Sequence, residues 1–181
     1  MSLADGHIIR RLPEAKGDIT SLAASNDGKK LFYSAESAVW EIPVSGGKPR
    51  KICDGDSVTA DPDGESLIVQ INAWDGVRHV RVPLSGAPGK PVPWLGAGSL
   101  TPTPLGPASV RAGKMVLTTG SRDSWFWKIG ILDLTTGRVT GVPVRYEGDL
   151  ALASWTSDGN IVAIGLPFRA NIWRLRPAGV R

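Results

Sequence analysis

The sequence predicts an all-β fold of repeated antiparallel units, and three observations carry that prediction. Its apolar runs are four to eight residues long, rich in Val, Ile, Thr, Trp and Tyr, and bounded by Gly or Pro, which favours strands over helices. No window holds a 3.6-residue apolar period over a dozen positions, so amphipathic helices are not expected. The turns Asn26-Asp27-Gly28, Asp63-Gly64, Ala112-Gly113 and Ser157-Asp158-Gly159 recur with glycines 36, 49 and 46 residues apart. A second series, Ser45-Gly46-Gly47, Ser85-Gly86-Ala87, Thr136-Gly137 and Ala178-Gly179, keeps a similar beat. A period of roughly 40–50 residues with about four strands per unit is the mark of a β-propeller.

The first unit, 19–53, reads as strands over 19–25, 30–34, 38–44 and 49–53. Ala38-Val39-Trp40-Glu41-Ile42 alternates with period two, as a half-covered strand does. The second unit, 57–94, reads as strands over 57–60, 66–71, 78–84 and 90–94. Leu67-Ile68-Val69 is continuously apolar, which suits a strand buried between neighbouring blades. The third unit, 108–144, gives strands over 108–111, 114–119, 128–134 and 138–144. The fourth gives 152–156, 160–166 and 170–176, one strand short, with the apolar run Ile161-Val162-Ala163-Ile164 in its second strand.

The N-terminal stretch 7–13 holds a spare strand, Ile8-Ile9-Arg10-Arg11-Leu12. Propellers close by letting such a strand complete the last blade, which leaves no open edge. Two arrangements are open: a four-blade ring closed in this way, or part of a ring of six to eight blades. Four blades lie at the small end of the architecture, which favours the second. In that arrangement the free blade faces call for a partner, a second copy included.

Composition bounds function more than it points to one. The 181 residues carry a net charge of +4 without a concentrated basic run, so nucleic acid is not an expected partner. No stretch approaches the roughly 18–20 apolar residues of a membrane span. The start, Met1-Ser2-Leu3-Ala4-Asp5-Gly6, lacks the basic and apolar segments of a signal peptide, and a soluble chain is expected. The single cysteine, Cys53, closes a strand and is expected to pack as a small apolar residue. No cofactor is expected.

Asp54, Asp56, Asp61, Asp63 and Glu65 form the densest acidic stretch. Their spacing does not match a calcium loop, and Asp-Gly turn chemistry explains them better; no metal site is expected. Trp125-Phe126-Trp127 stands out locally. Three consecutive aromatics on an extended segment cannot share one face, so at least one is expected at a rim, where it can anchor a partner or ligand. Trp155 lies on an innermost strand and joins them as a candidate binding residue, although a packing role is its simplest reading. His7 and His79 are isolated, and His79, between Arg78 and Arg81, is expected on a wet face. There is no Gly-x-Ser-x-Gly, His-Glu-x-x-His or P-loop pattern, so catalytic residues are not assigned.

Val39-Trp40-Glu41-Ile42-Pro43, Cys53-Asp54-Gly55-Asp56-Ser57-Val58, Val80-Arg81-Val82-Pro83-Leu84-Ser85-Gly86, Asp123-Ser124-Trp125-Phe126-Trp127 and Asn171-Ile172-Trp173-Arg174 give the chain a further likeness. Over nearly its whole length it resembles the TolB-like, WD-repeat-like propellers at the C-termini of bacterial serine/threonine protein kinases, especially of soil bacteria. That resemblance implies a non-catalytic sensing or binding module that takes a protein or small ligand on its blade loops. It also implies an extracytoplasmic position if the parent kinase is membrane-anchored. The kinase motifs themselves are absent from this sequence. The alternative is a propeller enzyme of hydrolase or lyase type with its site at the channel mouth.

Overall fold

A computed structural model of the chain describes residues 5–8, 17–96 and 98–169. Its regular elements are all strands, arranged in four antiparallel sheets. The first sheet orders β1 (Ser21–Ala24), β2 (Lys30–Ala35), β3 (Ala38–Pro43) and β4 (Arg50–Asp54) as neighbours. The second does the same with β5 (Ser57–Ala60), β6 (Ser66–Ala73), β7 (Gly76–Pro83) and β8 (Lys90–Pro91). The third holds β10 (Val110–Arg111), β11 (Lys114–Ser121), β12 (Ser124–Asp133) and β13 (Val139–Gly141), with β9 (Ser99–Leu100) added beside β11. The fourth contains β14 (Gly148–Trp155) and β15 (Ile161–Pro167).

Two differences from the expected strands matter. β12 begins at Ser124, so the aromatic triplet lies within the strand instead of before it. β9 comes from the long 92–109 linker and pairs Leu100 with Thr119 and Ser99 with Gly120; its two residues are too few to leave a periodic signal. The spare strand after Ile8 and the strand over 170–176 lie outside the described residues.

The expected turns are built from glycine and from a side-chain acceptor. Gly28, Gly64, Gly113 and Gly159 all have positive φ, between 67° and 87°, a region open to glycine at little cost. In the first turn the Gly28 N–H donates to the Ser25 carbonyl at 2.9 Å, and Asp27 Oδ1 accepts the Lys29 N–H at 3.1 Å. In the second, Asp63 Oδ1 accepts the Glu65 and Ser66 N–H groups at 2.7 and 2.9 Å. The third turn is different. Ala112 itself is left-handed, with φ 47° beside Gly113 at 72°, the signature of a two-residue type I′ hairpin.

The core is a series of layers between successive sheets. Phe32 and Val39 of the first sheet meet Val58, Leu67 and Val69 of the second. Ile68 on the opposite face of β6 meets Met115, Leu117 and Leu132 of the third. Val116 and Ile129 meet Leu150 and Ala153 of the fourth. Each sheet between two others is thus covered on both faces, which is why β6 reads as an unbroken apolar run.

Hydroxyls on the inner strands cross-tie these layers. Ser21 Oγ accepts the Val58 N–H, and Ser57 Oγ accepts the Leu105 N–H, each at 2.8 Å. Ser109 Oγ donates to the Ala153 carbonyl at 3.0 Å. Every tie satisfies a buried backbone group that an apolar neighbour would leave unpaired. Gly106 lies so close to Ala153 and Ser154 that a Cβ there would strike the carbonyl of one and the hydroxyl of the other.

Candidate functional site

Strand direction alternates within each sheet, so the loops separate onto two faces of the array. The Gly turns after β1, β5, β10 and β14 lie on one face, with the turns after β3, β7 and β12. The hairpins β2–β3, β6–β7 and β11–β12 lie on the other, with the linkers between sheets and the end of β15.

The turn face is tightly bonded. Hydrogen bonds from the Ser25 hydroxyl and the Lys29 N–H hold the Asp27 carboxyl below its ordinary range. Asp133 is lowered by the Thr136 and Thr135 N–H groups, and Asp158 by Thr156 and the residues around Asn160. Burial raises Asp63, but its bonds from Ser66 and Glu65 outweigh this and lower it overall. Arg111 Nη1 bridges to the next turn, donating to the Thr156 and Ser157 carbonyls at 2.9 and 2.8 Å. The acidic stretch is therefore dispersed into separate bonds. Asp54 pairs with Lys51 at 2.7 Å, Asp61 with Arg81 at 2.9 Å, and Asp56 Oδ2 accepts the Asn72 N–H at 2.8 Å.

The hairpin face presents indoles. Trp74 at the β6–β7 tip is 100% exposed, and Trp125 beside the β11–β12 tip is 99% exposed. These are equivalent hairpins on adjacent sheets. A fully exposed Trp gains nothing from the fold's own core, so its energy is available to a partner. Trp74 escaped the sequence reading; its signal was a large aromatic inside a turn, Trp74-Asp75-Gly76, where no core can receive it.

The backbone around Trp125 is held in place. The Trp127 N–H donates to Asp149 Oδ1 at 2.8 Å, which fastens β12 to the start of β14. The Phe126 ring stands 6.1 Å from that of Phe168, tilted by 58°, with Lys128 Nζ 5.3 Å above it. Lys128 also donates to the Tyr146 carbonyl at 3.0 Å. Tyr146 in turn lies against Gly165, where a Cβ would come within 2.8 Å of its ring. Phe126 is half-buried in this cluster, and Trp127 is partly exposed beside it.

Trp155 is elsewhere. Asp149, which touches the triplet, and Trp155 stand near opposite ends of β14, with a bulge between Ala151 and Ser154 separating them. Trp155 packs against the core cluster between the third and fourth sheets, at the end of β14 that leads into the turn face. The triplet and Trp155 are therefore not one site.

His79 corrects the expectation of a wet face. It is buried, and its Nε2 lies 3.3 Å from Gln70 Oε1, while Gln70 Nε2 donates to Asn72 Oδ1 at 3.0 Å. Burial lowers the imidazole to about 4, so it stands neutral at the base of the Trp74 hairpin. Cys53 is half-buried and raised, first by burial and then by Asp54, which disfavours the thiolate. One apolar cleft, of about 400 Å³, opens where Ile19 and Leu22 approach Leu105 and Leu152. Leu152 there is left-handed, with φ 52°.

No family model and no curated protein matches the chain. Solved structures do. TolB from Acinetobacter baumannii superposes with a TM-score of 0.67 at 20% identity, over 86% of this chain and 39% of that one. A TolB-type protein from Agrobacterium tumefaciens gives 0.65 at 18% identity, over 82% and 54%. The nidogen–laminin complex gives 0.62 at 14% identity, over 81% and 56%. The fold is that of a TolB-like β-propeller, and the chain spans about two-fifths to just over half the length of these neighbours.

Proposed function

We propose that residues 1–181 act as a non-catalytic recognition module, in which blade loops on the hairpin face take a protein or small ligand. The observation that carries this reading is the pair of fully exposed indoles, Trp74 and Trp125, on equivalent hairpins of adjacent sheets. Interface hot spots are enriched in Trp, and anchors work best when their backbone is already ordered. The Asp149 and Phe168 contacts supply that order beside Trp125. A neighbour of the same fold was solved as a nidogen–laminin complex, which supports a protein-binding use of such a frame.

The finer reading is a module at the C-terminus of a bacterial serine/threonine kinase, and it rests on the resemblance of the segments quoted above. The buried neutral His79 and the raised Cys53 favour binding over hydrolysis, since neither is poised as base or nucleophile. Peptides selected from a displayed library against the wild-type chain provide the test. Trp74→Ala and Trp125→Ala should each weaken the selected peptides by roughly 30-fold, the size of a 2 kcal/mol hot spot, without moving the melting curve. Undiminished binding by both variants would refute the hairpin face as the site. Turnover in a broad hydrolase screen, lost with a single side chain, would refute the non-catalytic reading.

A further inference from the structure

The two bare indoles stand in different electrostatic surroundings. Around Trp74, the hairpin face of the first two sheets gathers carboxylates. Asp18 lies just before β1, Glu36 at the β2–β3 tip, Asp54 and Asp56 in the linker between the sheets, and Asp75 beside Trp74 itself. This half of the face is stitched together. The Gly55 N–H donates to the Ser37 carbonyl at 2.9 Å and the Asp56 N–H to the Gln70 carbonyl at 2.8 Å. Asp56 Oδ2 accepts the Asn72 N–H, two residues before Trp74, at 2.8 Å. Against these carboxylates the described residues of this half set Lys51 and Arg78, 2.7 Å from Asp54 and 3.7 Å from Asp75 in exposed pairs. The linker 92–109 to the third sheet carries no charge. Around Trp125 the signs balance, with Arg122, Lys128 and Arg145 beside Asp123, Glu147 and Asp149. The negative excess at Trp74 thus runs against the net charge of +4 of the whole chain.

We propose that the hairpin face takes a basic peptide segment, with an Arg or Lys side chain laid on Trp74 and its charge among Asp54, Asp56 and Asp75. The inference rests on the reading of this face as the recognition surface. An indole face attracts a cation, and a guanidinium can stack on the ring while donating to carboxylates at its edge. The fold makes the same kind of contact internally, with Lys128 Nζ 5.3 Å above the Phe126 ring. Among the described residues no cation covers Trp74 in this way. The Arg78–Asp75 pair is exposed on both sides, a contact worth little in water, and an incoming guanidinium can replace it.

The asymmetry also orients the ligand, because complementary charge fixes register more than it adds affinity. The basic side chain goes to Trp74, and Trp125, in balanced surroundings, takes an uncharged one. A peptide fits this better than a small cation, since the two indoles belong to different sheets and one chain must reach both.

Calorimetric titration of the chain with N-acetylated tetra-arginine amide tests the proposal, with spermine and acetylated tetra-glutamate amide as comparisons. Tetra-arginine should bind, less tightly as salt is added, and tetra-glutamate should not. Trp74→Ala should weaken tetra-arginine by at least about fivefold, and Trp125→Ala by less. Asp54→Asn/Asp75→Asn, at exposed positions, should weaken it by roughly fivefold with an unchanged melting curve. Asp158→Asn, which removes a carboxylate from the turn face, should leave it unchanged. The proposal is overturned if tetra-arginine fails to bind, if Trp74→Ala or the double Asp variant binds it like wild type, or if spermine binds as tightly. Peptides selected from the library separate this from the wider reading. Selected peptides that need both indoles but carry no excess of Arg or Lys would keep the hairpin face and remove the cation, whereas peptides indifferent to both indoles would remove both.

Discussion

The turn face and the hairpin face are built from the same strands, yet they spend their polar groups differently. On the turn face, Asp27, Asp63, Asp133 and Asp158 are each committed to backbone or hydroxyl donors a few residues away. Arg111 is committed to the neighbouring turn. On the hairpin face, the bonding is put into holding a few segments still, while Trp74 and Trp125 are left bare. The lesson is a division of labour: one face closes the sheets and the other displays side chains on a frame fixed from beneath.

The largest expected effect separates the two faces by affinity. A Trp74→Ala/Trp125→Ala double variant should lose roughly 1,000-fold in binding to the selected peptides if two hot spots of about 2 kcal/mol add. Its stability should change by less than about 0.5 kcal/mol, because neither indole packs in the fold. Asp158→Asn on the turn face should leave affinity unchanged. Titration calorimetry beside thermal melts would read both quantities, and an affinity loss in Asp158→Asn would break the division.

Acid should loosen the support of the hairpin face first. The folded pKa of His79 is lowered from 6.5 to about 4, so between these values the unfolded chain binds the proton more readily. Its stabilising contribution is complete above pH 6.5 and is lost as pH falls towards 4, by roughly 3 kcal/mol. The lowered carboxyls of the turn face act later. Their contribution is full above the ordinary value of 3.8 and disappears only as pH falls through their folded values. Denaturant melts at pH 7, 5, 4 and 2.5 should show this order, with the His79 step between the first three and the carboxyl step below pH 4, and His79→Gln should flatten the first step. Equal slopes in variant and wild type would remove His79 as the cause.

Much of the frame was legible because a glycine turn is a local requirement. The beat of Gly28, Gly64, Gly113 and Gly159 located four hairpins, since at these four positions the positive φ falls on a glycine. His79 was not legible. A sheet covered on both faces carries no inside–outside alternation, so arginines at positions 78 and 81 gave a false impression of a wet strand, whereas Arg81 reaches inward to Asp61 at 2.9 Å. The triplet Trp125-Phe126-Trp127 announced itself by aromatic density, but its separation from Trp155 depends on which end of β14 meets Asp149. Trp74 stood alone in sequence. Its significance comes from sharing a face with Trp125, which strand direction supplies and residue type does not.

The cross-ties between sheets should show an intermediate effect on stability. Ser57→Ala deprives the buried Leu105 N–H of its acceptor, at a cost of about 1–3 kcal/mol. Because this tie joins the second sheet to the linker before the third, hydrogen exchange should quicken at Leu105 and in β10. A melting temperature within a degree of wild type would mean that water or a neighbouring group replaces the hydroxyl.

The smallest effect has the opposite sign, and it probes the one turn that departs from the others. Ala112 holds φ at 47°, where an L side chain costs roughly 1–2 kcal/mol. Glycine removes that strain but gives the unfolded chain more freedom, at roughly 0.5–1 kcal/mol. Ala112→Gly should therefore stabilise the protein by about 0.5–1 kcal/mol, whereas Gly113→Ala beside it should destabilise it. Neither variant should alter peptide affinity, since the turn lies on the face away from the indoles. Chemical denaturation of both would decide the sign. Destabilisation by Ala112→Gly would show that the Ala112 methyl is worth more to the folded state than the relief of its backbone.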